Sequence, residues 1–96
     1  MIYEWDSKKA AENQRKHGVS FDEASSVFLD PLALTFDDPD HSLNERRFIT
    51  IGMTSSQRLV FVAHVDKDDD RIRIISARET TRREAYDYQE RSGKNQ

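Results

Sequence analysis

A strand-like segment in the second half of the chain carries fixed positive charge, and this limits how the chain can fold. Residues 71–78 read RIRIISAR, with the two-residue alternation of a β-strand. By that alternation Ile72, Ile74, Ser76 and Arg78 share one face, and Arg73 falls on the other. Because arginine keeps its proton, a guanidinium beside a packed sheet needs a carboxylate, a phosphate or water.

The strand leads directly into a helix start that carries two more arginines. Thr81 and Glu84 form a capping-box pattern. Arg82 and Arg83 lie in the first turn, where positive charge opposes the helix dipole. Four arginines thus gather around one strand–helix junction in a chain whose formal net charge is −3. This local reversal of charge indicates a site for a polyanion.

Length and composition limit the class of protein. With 96 residues, the chain suits one domain with one core. It contains no cysteine, which excludes disulfides and thiolate metal sites. No apolar run approaches the roughly 18 residues that span a bilayer. We therefore expect a complete cytoplasmic protein that begins at its own Met1 and does not contact a membrane.

The remaining periodicity predicts a small single-domain α+β fold. We expect strands at 2–5, 32–36, 46–54, 58–65 and 71–78, a turn at 66–70, and helices at 7–17, from 20 to the Asp30-Pro31 stop, and from 81 to about 90. Asp6 should cap the first helix and Gly18 should end it, and Ser20 with Glu23 forms a capping-box pattern at the start of the second. The order is β-α-α-β-β-β-β-α, with a twisted, mainly antiparallel sheet and the helices on one face. The domain should span residues 1–91, with a disordered tail at 92–96.

A loop between two predicted strands gathers groups that could act on RNA. His41, Glu45, Arg46 and Arg47 lie within seven residues, in the stretch HSLNERR. Metal-independent RNA cleavage needs a base for the ribose 2′-hydroxyl and positive charge for the phosphorane. The same residues also suit a loop in which Glu45 pairs with an arginine and His41 caps a turn. The spacing leaves both interpretations open.

Two further candidate residues also have structural alternatives. Arg78 ends its strand beside a helix N-terminus, where backbone N–H groups favour anions, but an ion pair with Glu79, Glu84 or an N-terminal acid explains it equally well. His64 alternates with valines and is expected to be a sheet-face residue. No His, Asp and Glu positions show recognised metal-ligand spacing, and we expect no metal or cofactor.

Several segments, taken in order, resemble the BrnT family. They are YEWD at 3–6, KHGVSF at 16–21, DPLA at 30–33, HS at 41–42, ER at 45–46, IG at 51–52 and RIRIISAR at 71–78. The resemblance covers nearly the whole chain. It implies a ribonuclease toxin of a type II toxin–antitoxin system, with a compact RelE-like fold.

The resemblance also implies activity, partners and site residues. The expected protein cleaves cellular RNA, inhibits translation and is neutralised by a BrnA-like antitoxin with a ribbon-helix-helix domain. It would meet operator DNA only through that antitoxin. The resemblance carries a catalytic role to Glu45, Arg46 and Arg78, and His41 is our own hypothesis for the base. The residues expected to bind RNA are Arg47, Arg73, Arg82 and Arg83.

A non-enzymatic binding module is the alternative function. Such a protein would inhibit translation or serve as the antitoxin's co-repressor without producing new RNA ends. Its effect would survive loss of His41 and Glu45. A direct DNA-binding regulator is disfavoured by the net negative charge and the absence of a basic helix-turn-helix pattern.

Overall fold

One mixed sheet forms the centre of the fold. A computed structural model describes residues 1–38 and 45–94. Within these residues the elements are β1 (Ile2–Glu4), α1 (Ser7–His17), α2 (Phe21–Ser25), a 3-10 turn (Ser26–Leu29), β2 (Leu34–Asp37), β3 (Arg47–Met53), β4 (Leu59–Asp68), β5 (Arg71–Glu79) and α3 (Arg82–Lys94). The sheet order is β1-β5-β4-β3-β2, with β1 parallel to β5 and the other pairs antiparallel. The predicted small α+β domain is confirmed.

Capping residues set the limits of the first two helices. The Asp6 side chain accepts a hydrogen bond from the Lys9 amide, and Gly18 ends α1 at a φ of 70°. The Ser20 hydroxyl accepts a hydrogen bond from the Glu23 amide at the start of α2. These are local interactions between residues close in sequence, and the sequence pattern predicts all three capping positions.

Two elements extend by several residues beyond their predicted ends. β4 continues to Asp68, although the sequence pattern predicts a turn from Asp66, because Asp66 and Asp68 both still pair with β5. Asp68 also forms an ion pair with Arg71 at 2.9 Å, which holds the strands together near the turn. The last helix runs to Lys94 rather than ending near residue 90. In the described part of the chain, no helix combines the length and apolar character needed to cross a membrane.

The helices cover both faces of the sheet, so the expectation that they share one face is wrong. On one side, α1, α2 and the 3-10 turn pack over a core that includes Val60 and Val62; we call this the α1 face. On the other side, Tyr88 of α3 packs with Ile49 and Ile51; we call this the α3 face. The apolar residues of β3 and β4 that point away from the first core need their own cover, and α3 provides it.

A bulge in β5 interrupts its alternation. Ala63 pairs with Ser76, but the next residue, His64, pairs with Ile74, so Ile75 is an extra residue without a partner on β4. Two residues instead of one therefore separate Ile74 from the next residue on its face, Ala77. Both Ile74 and Ala77 are 1% exposed in the core of the α1 face.

The bulge also moves the arginines of β5 to a shared face. Arg73 pairs with Val65 and Arg78 pairs with Phe61, and both partners lie on the α3 face because β4 alternates regularly between them. The expectation that Arg73 and Arg78 lie on opposite faces is therefore wrong. Strict alternation gives that answer, and the single extra residue reverses it.

Asp30 joins three elements at the end of the 3-10 turn. Its carboxylate accepts hydrogen bonds from the amides of Leu32 and Met53 at 2.9 and 2.8 Å, and from the Tyr88 hydroxyl at 2.7 Å. Burial raises the pKa of the Asp30 carboxyl, but these hydrogen bonds lower the pKa by more than burial raises it. The net pKa therefore lies below the ordinary 3.8. The charged carboxylate therefore anchors α3 to the sheet.

Asn13 closes the part of the β5 edge that β1 does not reach. β1 pairs with β5 only at residues 71–73. Farther along, the buried Asn13 amide accepts from the Ala77 N–H at 3.1 Å and donates to the Ala77 carbonyl at 2.7 Å. It also donates to the Val19 carbonyl at 3.0 Å. One side chain thus replaces a neighbouring strand and ties α1 to the sheet.

We expect Asn13→Ala to lower the free energy of unfolding by about 2–4 kcal/mol, because it leaves buried backbone groups of Ala77 without partners. Urea denaturation followed by circular dichroism measures this change. Gln14→Ala, on the exposed side of the same helix, is the control and should change stability by less than about 0.5 kcal/mol. Equal midpoints for the two variants would contradict the edge-closing role of Asn13.

Candidate active site

Three arginines lie together on the α3 face. Arg47 and Arg73 pair with Val65 from its two sides, so they occupy one row across the sheet. With strands about 4.8 Å apart, their Cα atoms are about 10 Å apart. Arg78, opposite Phe61, lies two rows farther along the same face, about 13 Å away along the strands. The sheet therefore presents three guanidinium groups to one side.

The row between these arginines carries small side chains on β4 and β5, and Ile49 on β3. Ala63 pairs with Ser76 there, and both are only partly buried. Small side chains leave space above the sheet for a ligand, and the Ser76 hydroxyl can donate a hydrogen bond to it. Ser76 is therefore a further polar group between Arg73 and Arg78 on the α3 face.

Glu84 holds Arg78 at the junction of β5 and α3. Its two carboxylate oxygens each accept a hydrogen bond at 2.9 Å from Nη1 and Nη2 of Arg78. Nη1 also donates to the Glu79 carbonyl at 3.1 Å, and the guanidinium lies 3.9 Å from the ring centroid of Phe61. The ion pair that the sequence offers as a structural alternative is present. A guanidinium has five N–H donors, so two remain for a ligand within the described structure.

Glu84 also completes the capping box of α3. Its carboxylate accepts from the Thr81 amide at 2.9 Å, and the Thr81 hydroxyl accepts from the Glu84 amide at 3.2 Å. Burial raises the pKa of the Glu84 carboxyl, but the hydrogen bonds from Arg78 and Thr81 lower it more, to below the ordinary 4.5. Glu84 is therefore a charged anchor that positions Arg78.

Arg46 and Glu45 lie outside this group of arginines. Arg46 pairs with Asp37 at 3.1 Å and lies over the ring of Phe48, 5.1 Å from its centroid, toward the α1 face. Glu45 Oε2 lies 3.9 Å from Nζ of Lys67 and is 44% exposed. The structure thus does not bring Arg46 together with Arg78. Glu45 remains accessible.

The other predicted site residues have different surroundings. Nε of Arg47 is buried and has no hydrogen-bond partner among the described residues. Arg73 lies 4.0 Å from Glu4, and Arg83 pairs with Asp87 at 3.4 Å along α3. Arg82 is exposed. His41 lies outside the described residues.

His64 is buried on the α1 face, as its sequence pattern predicts. It is 1% exposed. Nδ1 is hydrogen-bonded to Asp66 at 3.0 Å and Nε2 to the Thr50 hydroxyl at 2.8 Å. Burial lowers the pKa of the His64 imidazole and Asp66 raises it, with a net value below 6.5. A neutral, enclosed imidazole cannot reach a substrate.

α1 carries charges that the strand-based prediction does not include. Lys9, Lys16 and His17 border a groove whose other side is Ile75 and Ser76 of β5. The signal in the sequence is the pair of basic clusters KK at 8–9 and RKH at 15–17. Only the fold shows that these clusters lie beside the arginine-bearing strand.

Comparison with known proteins places this chain in the class of ribonuclease toxins of type II toxin–antitoxin systems. The family model described as "Ribonuclease toxin, BrnT, of type II toxin-antitoxin system" matches residues 5–84, which is most of the chain. The chain therefore belongs to the BrnT family. A search of curated proteins gave no match.

A solved structure supports the same fold. The crystal structure of the Brucella abortus ribonuclease toxin BrnT is similar to this chain with a TM-score of 0.65 and 20% sequence identity. The similarity covers 85% of this chain and 100% of the Brucella chain. At this identity, the likeness shows a shared fold.

We expect Glu84→Gln to destabilise the protein at neutral pH by about 1–2 kcal/mol, because it removes the charge that pairs with Arg78. The folded-state pKa of Glu84 is lowered, so its stabilisation is complete above pH 4.5 and is lost as the pH falls through the folded pKa. Urea midpoints measured from neutral to acidic pH should therefore fall less steeply in Glu84→Gln. Glu90→Gln, exposed on the same helix, is the control. A variant with the full wild-type pH dependence would contradict this anchoring role.

Proposed function

We propose that the chain is an endoribonuclease toxin that cleaves cellular RNA without a metal ion and thereby inhibits translation. The observation that carries this proposal is the shared placement of Arg47, Arg73 and Arg78 on the α3 face. Membership of the BrnT family supplies the reaction class. A RelE-like description of the fold belongs to the same proposal.

A local cationic surface fits an overall acidic RNA-binding protein. The net charge of −3 gives no general attraction to RNA, so affinity must come from charges gathered in one place. Arg73 is only weakly held by Glu4, and Arg78 keeps free donors despite Glu84. Arg82 and Arg83, at the start of α3, extend the positive surface beyond Arg78.

Arg73 and Arg78 would hold the scissile phosphate and stabilise the charge that develops on it. Fixed guanidinium groups act most strongly in the transition state, where the phosphorane carries additional negative charge. Arg47, in the same row as Arg73, would contact the RNA backbone next to the scissile phosphate. Arg46, at the edge of the sheet, would contact RNA outside the scissile phosphate.

The proton of the ribose 2′-hydroxyl would be taken by Glu45 or His41. Glu45 is exposed and precedes Arg47, which places it at the end of the sheet that carries Arg47 and Arg73. The 2′-oxygen then attacks the adjacent phosphorus, and the bond to the 5′-oxygen breaks as that oxygen takes a proton from solvent or from the protonated base. The products are a 2′,3′-cyclic phosphate and a 5′-hydroxyl end.

The proposed partner is a BrnA-like antitoxin with a ribbon-helix-helix domain. A type II toxin–antitoxin system includes an antitoxin protein, and membership of the BrnT family therefore implies one here. Contact with operator DNA would pass through the antitoxin, since the acidic toxin lacks the charge for duplex binding. The site of action would be the cytoplasm, where cellular RNA is found.

We expect Arg73→Ala and Arg78→Ala each to reduce RNA cleavage by about 100- to 1,000-fold, because each removes one charge from the transition state. Induced expression followed by mapping of 5′-hydroxyl ends in cellular RNA measures the loss. Arg91→Ala, which removes an exposed arginine of α3, is the matched control and should retain wild-type cleavage.

Glu84→Gln separates catalysis by Arg78 from its structural role. This variant breaks the ion pair but leaves the guanidinium, so a folded Glu84→Gln protein should still cleave RNA. Equal losses of cleavage and stability in Arg78→Ala and Glu84→Gln would limit Arg78 to a structural role. Growth arrest by the wild type without new RNA ends would instead favour the non-enzymatic binding module.

A further inference from the structure

α1 carries positive charge that nothing in the described structure neutralises. Its acidic residue is Glu12, against four exposed cations: Lys8, Lys9, Arg15 and Lys16. None of the four forms an ion pair within residues 1–38 and 45–94. By contrast, Arg58, Arg71 and Arg78 of the sheet region are each held by a carboxylate. The charge of α1 is therefore available to a ligand.

A groove separates α1 from the open edge of β5. Lys9 and Lys16 lie along its helix side, two turns and about 10.5 Å apart, and Ile75 and Ser76 form its sheet side. The groove exists because β1 ends at Glu4, so no strand pairs with the second half of the β5 edge. Asn13 forms part of the groove and satisfies the buried backbone groups of Ala77.

Ser76 connects the groove with the arginine-bearing α3 face. Ser76 lines the groove and also lies in the row between Arg73 and Arg78, because the bulge at Ile75 turns it to that face. A flexible chain lying between Arg73 and Arg78 could therefore pass over Ser76 and around the edge of β5. Its next anionic groups would then meet Lys9 and Lys16.

The chemistry of the groove favours a single-stranded nucleic acid backbone over a packed protein segment. Its lining is polar and basic, with Ile75 as the apolar residue, whereas protein interfaces bury apolar or aromatic anchors in their centre. A sharp turn around a strand edge suits a flexible single strand better than a stiff duplex. Glu12 lies between the two lysines and should weaken the hold on an anion.

We propose that the groove between α1 and β5 binds the phosphate backbone of single-stranded RNA next to the cleavage site, through Lys9 and Lys16. This inference rests on the proposed ribonuclease function and names a contact surface for its substrate. The groove would add affinity outside the scissile phosphate, and the α3 face would carry the chemistry. Such a division lets an acidic protein hold RNA along one continuous cationic path.

The test compares two double charge reversals on α1. Lys9→Glu/Lys16→Glu changes the groove, and Lys8→Glu/Arg15→Glu changes the cations of the same helix that do not line it. Each pair alters one residue in the first part of the helix and one in the last turn, so effects on net charge and on the helix dipole match. Exposed positions on α1 should tolerate both changes without loss of fold.

The readout is the fluorescence anisotropy of a labelled single-stranded 2′-O-methyl RNA of about 12 nucleotides. This probe cannot be cleaved, since it lacks the 2′-hydroxyl nucleophile. Losing two phosphate contacts should weaken binding by about 20-fold at 0.1 M salt and reduce the salt exponent by about 1.4. The Lys8/Arg15 control should lose less than about 3-fold. Glu12→Gln should bind about 2-fold more tightly.

Equal losses of RNA affinity in the two double variants would overturn the groove proposal. Affinity would then depend only on the overall charge of α1 and not on the residues that line the groove. The groove proposal would also be overturned if Lys9→Glu/Lys16→Glu kept its RNA affinity but no longer bound the antitoxin. In either case wild-type RNA cleavage, measured by end-mapping, would leave the ribonuclease function standing. A wild-type protein that neither binds the probe nor cleaves RNA would overturn both proposals.

Discussion

Ile75 has no partner of its own on β4, and this one extra residue arranges both faces of the sheet. It allows Ile74 and Ala77 to enter the same core although two residues separate them. It also brings Arg73 and Arg78 to the same face, where strict alternation would divide them. Bulges of this kind redirect side chains at functional sites without breaking the sheet. The candidate active site depends on this local break in the pairing of β5.

Carboxylates place Arg78 and α3 by interactions between different elements of the fold. Glu84 fixes Arg78 at the end of β5 while it caps α3. Asp30 holds the same helix through the Tyr88 hydroxyl. A side chain held by several hydrogen bonds loses little further freedom when it meets a ligand. The hydrogen bonds that hold Arg78 in the fold therefore also preorganise its guanidinium to bind a phosphate.

The distribution of charge explains how an acidic chain can serve as a polyanion-binding protein. Acidic residues neutralise several of the arginines, including Arg58 and Arg71, and leave α1 and part of the α3 face positive. Net charge describes solubility and long-range attraction, while a short hold on RNA depends on the local arrangement. The fold places the two positive surfaces side by side at the open edge of β5.

The sequence by itself determined the features that depend on near neighbours. Helix caps such as Asp6 and Gly18, and most of the strands, follow from hydrogen bonds and periodicity within a few residues. The resemblance to the BrnT family likewise needed only the order of its segments, and the family model agrees. Only the tertiary structure decided the register shift at Ile75, the side of the sheet covered by α3, and the pairing of Arg78 with Glu84. These depend on contacts between residues of different elements, whose competing partners the local pattern does not distinguish.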